Sequence, residues 1–112
     1  YAYTNGTYEH AIDALSNMET PIFNYIFARD NLYENQQFKP HIDVYVYIHN
    51  YIYSDRRNKC KSIIFYDDML ENLKTAKNLG WITVWITKSR DSPPVYVDYI
   101  SENVIDAIEY LK

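Results

Sequence analysis

The fold is decided by the stretch Ser62-Ile63-Ile64-Phe65-Tyr66-Asp67-Asp68-Met69-Leu70-Glu71-Asn72-Leu73-Lys74-Thr75-Ala76-Lys77-Asn78-Leu79-Gly80-Trp81. Its four apolar or aromatic residues, Ile63 to Tyr66, are typical of a strand buried on both faces, as strands of parallel sheets are. Two carboxylates follow, and then Leu70, Leu73, Ala76 and Leu79 recur at helical spacing up to Gly80. The run Trp81 to Thr87 is strand-like again. This order predicts a right-handed crossover unit with carboxylates at the sheet edge where open α/β sheets bind ligands.

The acidic pair at the end of the first strand has two interpretations. Asp68 can cap the following helix, with Glu71 completing a capping-box-like pair, while Asp67 is solvated. Alternatively, Asp67 and Asp68 offer hard oxygen ligands to Mg²⁺, which typically takes one or two protein carboxylates beside a substrate phosphate. The pair alone does not decide between them. Gly80 is expected to adopt the left-handed conformation that ends a helix.

The bulk composition bounds the class of protein. The 112 residues make at most one domain, and 47% hydrophobic with 23% charged residues is ordinary for a soluble globular chain. The net charge of −4 and the single basic cluster, residues 56–61, argue against a nucleic-acid binder. No apolar run approaches the roughly 20 residues that span a bilayer, so no membrane segment is predicted. Cys60 is the only cysteine, which excludes an internal disulfide and favours a reducing, cytoplasmic location.

The beginning of the chain predicts a second strand–helix–strand unit. Tyr1-Ala2-Tyr3 is a short strand, and Asn5 or Thr7 can cap a helix whose apolar stripe is Tyr8, Ala11, Ile12, Leu15 and Met18. Residues 22–28 are a second strand candidate. Thr4 and Asn5, between strand and helix, either serve as caps or donate hydrogen bonds to an anion.

The segment from His41 to Tyr53 fits either a strand or a helix. Alternating β-branched residues favour a strand, whereas the set Ile42, Tyr45, Val46, His49 and Ile52 fits one helical face. We predict a helix, because the segment is about 13 residues long and Pro40 stands at a plausible first helical position. Lys39, just before it, is either solvated or able to neutralise a phosphate oxygen.

The C-terminal part predicts one more helix. Residues 95–100 are a short strand or an extended segment, and Ser101 is expected to cap a helix with a buried stripe of Val104, Ile105, Ile108 and Leu111. The histidines His10, His41 and His49 lack metal-ligand spacing. Gly6 and Gly80 are the only glycines, which excludes both the P-loop and the dinucleotide fingerprints.

In their order and spacing, these motifs resemble the haloacid-dehalogenase-like (HAD) hydrolase superfamily, and within it the pyrimidine 5′-nucleotidase-like phosphatases. The segment Tyr3-Thr4-Asn5-Gly6 looks like the second motif of that group, and Phe38-Lys39-Pro40 is similar to its third. The family's fourth motif and the helix after it are resembled by the segment Ile64-Phe65-Tyr66-Asp67-Asp68 together with Asn72, Ala76, Leu79 and Gly80. The resemblance covers nearly the whole chain.

The resemblance implies an α/β fold, with a three-layer Rossmann-like parallel sheet and helices on both faces. It also implies a magnesium-dependent phosphomonoesterase that acts on a small phosphorylated metabolite or nucleotide. Thr4 and Lys39 would hold the phosphoryl oxygens, with Asn5 beside them. Asp67 and Asp68 would hold the Mg²⁺ ion.

One family element is missing from these residues. The family's nucleophile is an aspartate in an Asp-x-Asp motif on the first, central strand, and no Asp-x-Asp occurs among the 112 residues. We therefore expect residues 1–112 to be the C-terminal part of a HAD-like core. The missing N-terminal part or another chain would complete the sheet, and the cap domain that selects the substrate would also lie there. The alternatives are a catalytically inactive Rossmann-like structural or interaction subunit and, less well matched, a receiver-like domain.

Overall fold

The structure, a computed structural model, describes residues 1–3, 9, 26–27, 41–55 and 62–110. Its central unit is strand β3 (Ile64–Asp67), helix α2 (Leu70–Asn78) and strand β4 (Ile82–Ile86). The two strands pair in parallel, from Ile64 opposite Ile82 to Asp67 opposite Trp85. The order of strand, helix and parallel strand predicted from residues 62–87 is therefore confirmed, although three of the four β3 residues are only partly buried.

Gly80 ends helix α2 in the conformation that the sequence predicts. Its φ of +79° lies in the left-handed region, which disfavours residues with a Cβ. The Gly80 N–H donates to the Lys77 carbonyl at 2.9 Å, and the Trp81 N–H donates to the Ala76 carbonyl at 3.2 Å. This pair of bonds is a Schellman motif, which satisfies carbonyls at the helix end and turns the chain into β4.

The start of helix α2 differs from the prediction. We expected Asp68 to cap the helix with Glu71, but the residue at the cap position is Met69, which makes no side-chain capping bond. Met69 is still extended, with φ −98° and ψ 120°, so the helix begins only at Leu70. Because Asp68 lies two residues before the first helical residue, it is too far along the chain to act as the N-cap.

Helix α1 (Ile42–Ser54) confirms the helical interpretation of the ambiguous segment. His41 occupies the N-cap, where its Nδ1 accepts from the Asp43 N–H, so Pro40 does not stand at the first helical position as predicted. The predicted face is right at Tyr45 and Ile52, which are buried, and wrong at Ile42 and Val46, which are exposed. Val44 and Ile48 complete the buried set.

The main core lies where α1 meets the central unit. Tyr45 is fully buried, and its ring contacts Phe65 of β3 and Trp81 beside β4, with centroids 5.7 and 5.5 Å apart. Aromatic pairs at such distances contribute roughly 0.5–1.5 kcal/mol each beyond area burial. The buried members of this cluster are Val44, Tyr45, Ile48, Ile52, Ala76 and Trp81.

The C-terminal segment forms strand β5 (Tyr99–Ser101), parallel to β4, and helix α3 (Val104–Tyr110). Ser101 belongs to the strand and is not the helix cap that we predicted. Asn103 precedes the helix instead, and its Oδ1 accepts from the Asp106 N–H at 2.8 Å. Two residues separate Ser101 from Val104, so Ser101 does not occupy the N-cap position, and its hydroxyl donates to the Asn103 carbonyl at 2.9 Å.

The buried face of α3 also differs from the predicted stripe. Ile105 and Ile108 are 42% and 37% exposed, while Ala107 is buried. Ala107 is therefore the most deeply buried residue of this group, and the two isoleucines are only partly covered. Leu111, the last predicted member, lies outside the described residues.

In the described part of the chain, the strands form two parallel sheets. One has the order β3-β4-β5, and the other pairs β1 (Ala2–Tyr3) with β2 (Ile26–Phe27). The short N-terminal strand is confirmed, and β2 falls within the predicted second strand. Of the predicted helix over residues 8–18, only Glu9 is described, and it is helical.

The described part of the protein is thus an α/β fold whose larger parallel sheet has three strands. No helix among the described residues is both long enough and apolar enough to cross a membrane.

Candidate functional site

The candidate site begins at Asp67, the last residue of β3. Its side chain is buried, with 9% of the residue exposed. The Asp67 Oδ1 accepts from the Met69 N–H at 2.9 Å, and its Oδ2 accepts from the Asn72 Nδ2 at 3.1 Å. The bond from the Met69 N–H to the Asp67 side chain closes an Asx-turn, since the donor lies two residues after the aspartate. This turn explains the tight transition from strand to helix. Both carboxylate oxygens are therefore held by donors from the α2 start.

Asp68 presents the second carboxylate, and it is exposed. Its backbone carbonyl accepts from the Trp85 Nε1 at 3.1 Å, while Trp85 itself is 8% exposed. The indole thus fixes the Asp68 backbone from the neighbouring strand. The pair consists of one buried, oriented carboxylate and one that reaches solvent.

Asn72 connects the site to the core. It is 4% exposed, and its backbone carbonyl accepts from the Tyr45 hydroxyl at 2.9 Å. Tyr45 lies in α1, so a single side chain ties that helix to the first turn of α2. Buried polar groups usually have hydrogen-bond partners. Here the bonds of the Asn72 side chain and backbone help to fix the Asp67 carboxylate.

The neighbouring residue Tyr66 adds no charge to the site. Burial raises the pKa of its phenol above the usual range, because the charged form is less well solvated there. A phenol with its ordinary pKa is already neutral at physiological pH, and the shift acts in the same direction.

A second polar cluster joins α2 to the segment before β5. The Asp98 Oδ2 accepts from the Lys77 Nζ at 2.5 Å, from the Thr83 N–H at 2.9 Å and from the Thr83 hydroxyl at 3.3 Å. Partial burial alone would raise the pKa of Asp98. The hydrogen bonds from Lys77 and Thr83, together with the Lys77 charge, outweigh it and hold the pKa below its usual value. These groups satisfy one another, which indicates a structural role.

The donor set at Asp67 and Asp68 fits a hard divalent cation. Both residues offer carboxylate oxygens, which Mg²⁺ and Ca²⁺ prefer, and they stand at the carboxyl end of a parallel strand. In the ranges that the structure describes, no group of three or more histidine, cysteine, aspartate or glutamate side chains is arranged to hold a metal. A cation here would therefore use two carboxylates of this part of the chain together with other ligands.

The remaining predicted site residues, Thr4, Asn5 and Lys39, lie outside the described residues. Tyr3, the residue before Thr4, ends β1. Their convergence with Asp67 and Asp68 therefore stays a prediction. Of the histidines, His41 is the N-cap of α1 and His49 accepts from the Trp81 indole at 3.0 Å, while His10 is not described.

Two contacts at the site have no signal in the sequence. Trp85 bonds to Asp68 across 17 positions, and Tyr45 bonds to Asn72 across 27. Asn72 belongs to the motif that carries the resemblance, but its side-chain bond to Asp67 emerges only from the structure. An amide five residues after an aspartate predicts no particular contact.

Comparison with known proteins leaves the family of this chain open, because no protein-family model, curated protein or solved structure matches it. The functional assignment therefore rests on the motifs of the sequence and on the geometry around Asp67.

Proposed function

We propose that the chain is part of the core of a magnesium-dependent phosphomonoesterase of the HAD-like superfamily. Its substrate would be a small phosphorylated metabolite or nucleotide. The observation that carries this proposal is the Asp67-Asp68 pair at the carboxyl end of β3, with one carboxylate buried and oriented and the other exposed. The single cysteine supports a reducing, cytoplasmic location.

Asp67 and Asp68 would hold the Mg²⁺ ion. When bound, the ion would neutralise charge on the phosphoryl group. Thr4 and Lys39 would bind the phosphoryl oxygens, and Asn5 would lie beside them. The lysine contributes a compact positive charge, and the threonine a hydroxyl donor.

The nucleophile would come from an Asp-x-Asp segment other than these 112 residues. Its first carboxylate attacks phosphorus and displaces the alcohol, which takes a proton from the second aspartate. The second aspartate then removes a proton from water, which attacks the aspartyl-phosphate and releases inorganic phosphate. Both aspartates are restored at the end of the cycle.

The sheet arrangement supports a contribution from another segment. Within the described ranges, β3 pairs only with β4 and β1 pairs only with β2, so the two sheets remain separate. A strand between β1 and β3 would join them into a single Rossmann-like sheet. Pairing would also satisfy edge N–H and C=O groups, each of which costs on the order of 1–3 kcal/mol when buried without a partner. Another segment of the protein or another chain would supply this strand.

Calorimetric titration of the chain with Mg²⁺ tests the metal site. We expect saturable binding that Asp67→Asn and Asp68→Asn each weaken by at least about tenfold, since a charged ligand is lost. Asp55→Asn is the matched control, because it also removes one negative charge but Asp55 lies beside Tyr1 rather than at the site. Equal binding by all four proteins would overturn the proposal and favour the inactive Rossmann-like subunit.

Inorganic phosphate tests the second half of the proposed site. With Mg²⁺ present, Lys39→Ala should weaken phosphate binding while Mg²⁺ binding without phosphate is unchanged. This separation is expected because, in the proposed site, Lys39 would contact the anion and not the cation. Unchanged phosphate binding would remove Lys39 from the site.

A further inference from the structure

His49 of α1 joins that helix to Trp81, the residue that follows Gly80 and leads into β4. Its Nδ1 accepts from the Trp81 indole N–H at 3.0 Å, and the two rings are nearly coplanar, with an interplanar angle of 7°. Trp81 is 3% exposed, whereas His49 is half-buried. A buried donor is therefore satisfied by a side chain that solvent can reach.

The protonation state of His49 decides whether this bond exists. A neutral imidazole has one nitrogen that accepts and one that donates, while both nitrogens of a protonated imidazole are donors. Because Nδ1 accepts from the indole, the neutral ring carries its proton on Nε2, and a second proton can be added only at Nδ1. That proton takes the lone pair that Trp81 uses and leaves a buried indole N–H without its acceptor.

We propose that the bond between His49 and Trp81 is a pH-sensitive latch, which holds the C-terminal half of α1 against the central unit at neutral pH and opens when His49 is protonated. Histidine is the side chain that ordinarily changes charge between about pH 5 and pH 8. The latch is independent of the proposed function, because neither residue belongs to the candidate site.

The direction of the pH dependence follows from where the proton binds at no loss. The unfolded chain takes up the proton without breaking a bond, whereas the folded chain must give up the bond to Trp81. Acid therefore favours the unfolded chain. The stability that the bond contributes is present above the range in which histidine ordinarily titrates, and it is lost as the pH falls through that range.

The two halves of α1 respond differently to protonation. Tyr45, one turn before His49, donates its hydroxyl to the Asn72 carbonyl at 2.9 Å, and a phenol does not titrate in the histidine range. This bond keeps the N-terminal half of the helix attached to α2. Tyr53, one turn after His49, has its ring 4.6 Å from the imidazole and is 45% exposed. Opening the latch therefore loosens the part of α1 that follows Tyr45.

The charged groups around His49 do not replace the lost bond. On the elements packed against α1, Lys77 of α2 bonds to Asp98, and the Asp67 carboxylate of β3 accepts from donors at the start of α2. The other charged side chains of α2 are exposed, namely Glu71 and Lys74. The carboxylates on α1 and at its C-cap lie toward the two ends of the helix, at Asp43 and Asp55. Within the described ranges, none of these carboxylates forms an ion pair with His49.

The indole N–H signals of the two tryptophans in ¹H–¹⁵N spectra, recorded from about pH 8 to about pH 5.5, test the latch. We expect the Trp81 signal to shift in a single step whose midpoint coincides with that of the His49 ring Cε1–H signal. The Trp85 indole is the internal control, because it donates to the Asp68 backbone carbonyl, which does not titrate. Its signal should shift much less.

One substitution at two positions separates the latch from other titrating groups. His49→Asn removes the titratable ring and keeps an acceptor oxygen, and it should abolish the Trp81 shift. His41→Asn is the matched control, because His41 is the N-cap of the same helix and asparagine also serves as an N-cap. This control should keep the shift. In urea titrations, the unfolding midpoint should fall between about pH 8 and about pH 5.5 in the wild type and in His41→Asn, and should fall less in His49→Asn.

Two results would overturn the latch. One is a Trp81 signal that does not follow the His49 ring in the wild type, or that shifts equally in His49→Asn. The other is an equal fall of the unfolding midpoint in the wild type and His49→Asn, because the bond then does not hold α1 in place. Should His49→Asn fail to fold, the comparison of the two wild-type midpoints by itself decides the question.

Discussion

Tyr45→Phe is the sharpest test of how the core supports the site. The substitution keeps the ring that packs against Phe65 and Trp81 and removes only the hydroxyl, which donates to the Asn72 carbonyl at 2.9 Å. In an α-helix, the same carbonyl also accepts from the N–H four residues on, so the loss leaves it partly satisfied. We therefore expect the free energy of unfolding to fall by about 1 kcal/mol, the net value of a typical hydrogen bond.

Urea denaturation followed by tryptophan fluorescence measures the change in the free energy of unfolding, and a thermal melt measures the corresponding change in melting temperature. About 1 kcal/mol corresponds to a drop in melting temperature of roughly 4 °C for a domain of this size. Tyr99→Phe is the matched control, because Tyr99 is 44% exposed and should change stability by less than about 0.5 kcal/mol. If the two variants lose the same stability, the bond from Tyr45 to Asn72 does not contribute as argued.

Three further predictions concern the elements around the site. Because the pKa of Asp98 is lowered in the folded protein, its stabilising contribution is present above the ordinary aspartate pKa and is lost as the pH falls through the folded value. Asp98→Asn should therefore lower the free energy of unfolding by about 0.5–1 kcal/mol at pH 7. In urea titrations, the difference in this free energy between the variant and the wild type should become smaller below pH 4. A difference that does not change with pH would contradict the lowered pKa. Gly80→Ala should cost about 1 kcal/mol in the same titrations, because an added Cβ meets no atom within 4 Å and only the backbone conformation at φ +79° opposes it; an unchanged midpoint would contradict this. Asn103→Ala should lower the free energy of unfolding by about 1 kcal/mol, because the α3 cap is lost, and Ser101→Ala should lower it less. A larger loss of stability in Ser101→Ala than in Asn103→Ala, measured by thermal melts, would indicate that Ser101 is the cap.

The central unit was predictable because its signals are local and agree with one another. A buried strand, a helical stripe and a glycine at the helix end each specify the same order over residues 62–87. Gly80 illustrates this agreement, since its position after the last helical residue and its left-handed conformation follow from the same requirement.

The helix caps were harder to predict because they depend on where a strand ends. Asp67, Asp68 and Met69 follow one another, and a shift of one residue changes which of them stands at the cap position. In the structure β3 continues to Asp67, and the Trp85 indole holds the Asp68 carbonyl from β4. Ser101 failed as a cap for the same reason, because β5 includes it.

The buried faces of the outer helices depend on tertiary packing. Ile105 and Ile108 match a helical stripe, yet Ala107 is more deeply buried than either. On α1, Val44 and Ile48 are buried where the pattern favoured Ile42 and Val46. The β-branched residues of α1 lie on more than one side of the helix, so the sequence pattern does not identify a single buried face.

The sequence predicts which residues belong to the candidate site, but it does not predict how their side chains are arranged. Two adjacent aspartates at a strand end are compatible with a helix cap or with a cation site, and the sequence favours the cation site only when Thr4 and Lys39 are considered with them. The orientation of Asp67 depends on Asn72, and through it on Tyr45, which is distant in sequence. Such long-range bonds have no local pattern.

The claim that Asp67 and Asp68 form a cation site is tested most directly by the indole N–H signals of the two tryptophans in ¹H–¹⁵N spectra during a Mg²⁺ titration. The Trp85 indole bonds to the Asp68 carbonyl, while the Trp81 indole bonds to His49. We predict that the Trp85 signal shifts saturably, that the Trp81 signal stays in place, and that Asp67→Asn abolishes the shift. A Trp85 signal that does not respond to Mg²⁺, or that responds equally in Asp67→Asn, would contradict the cation site.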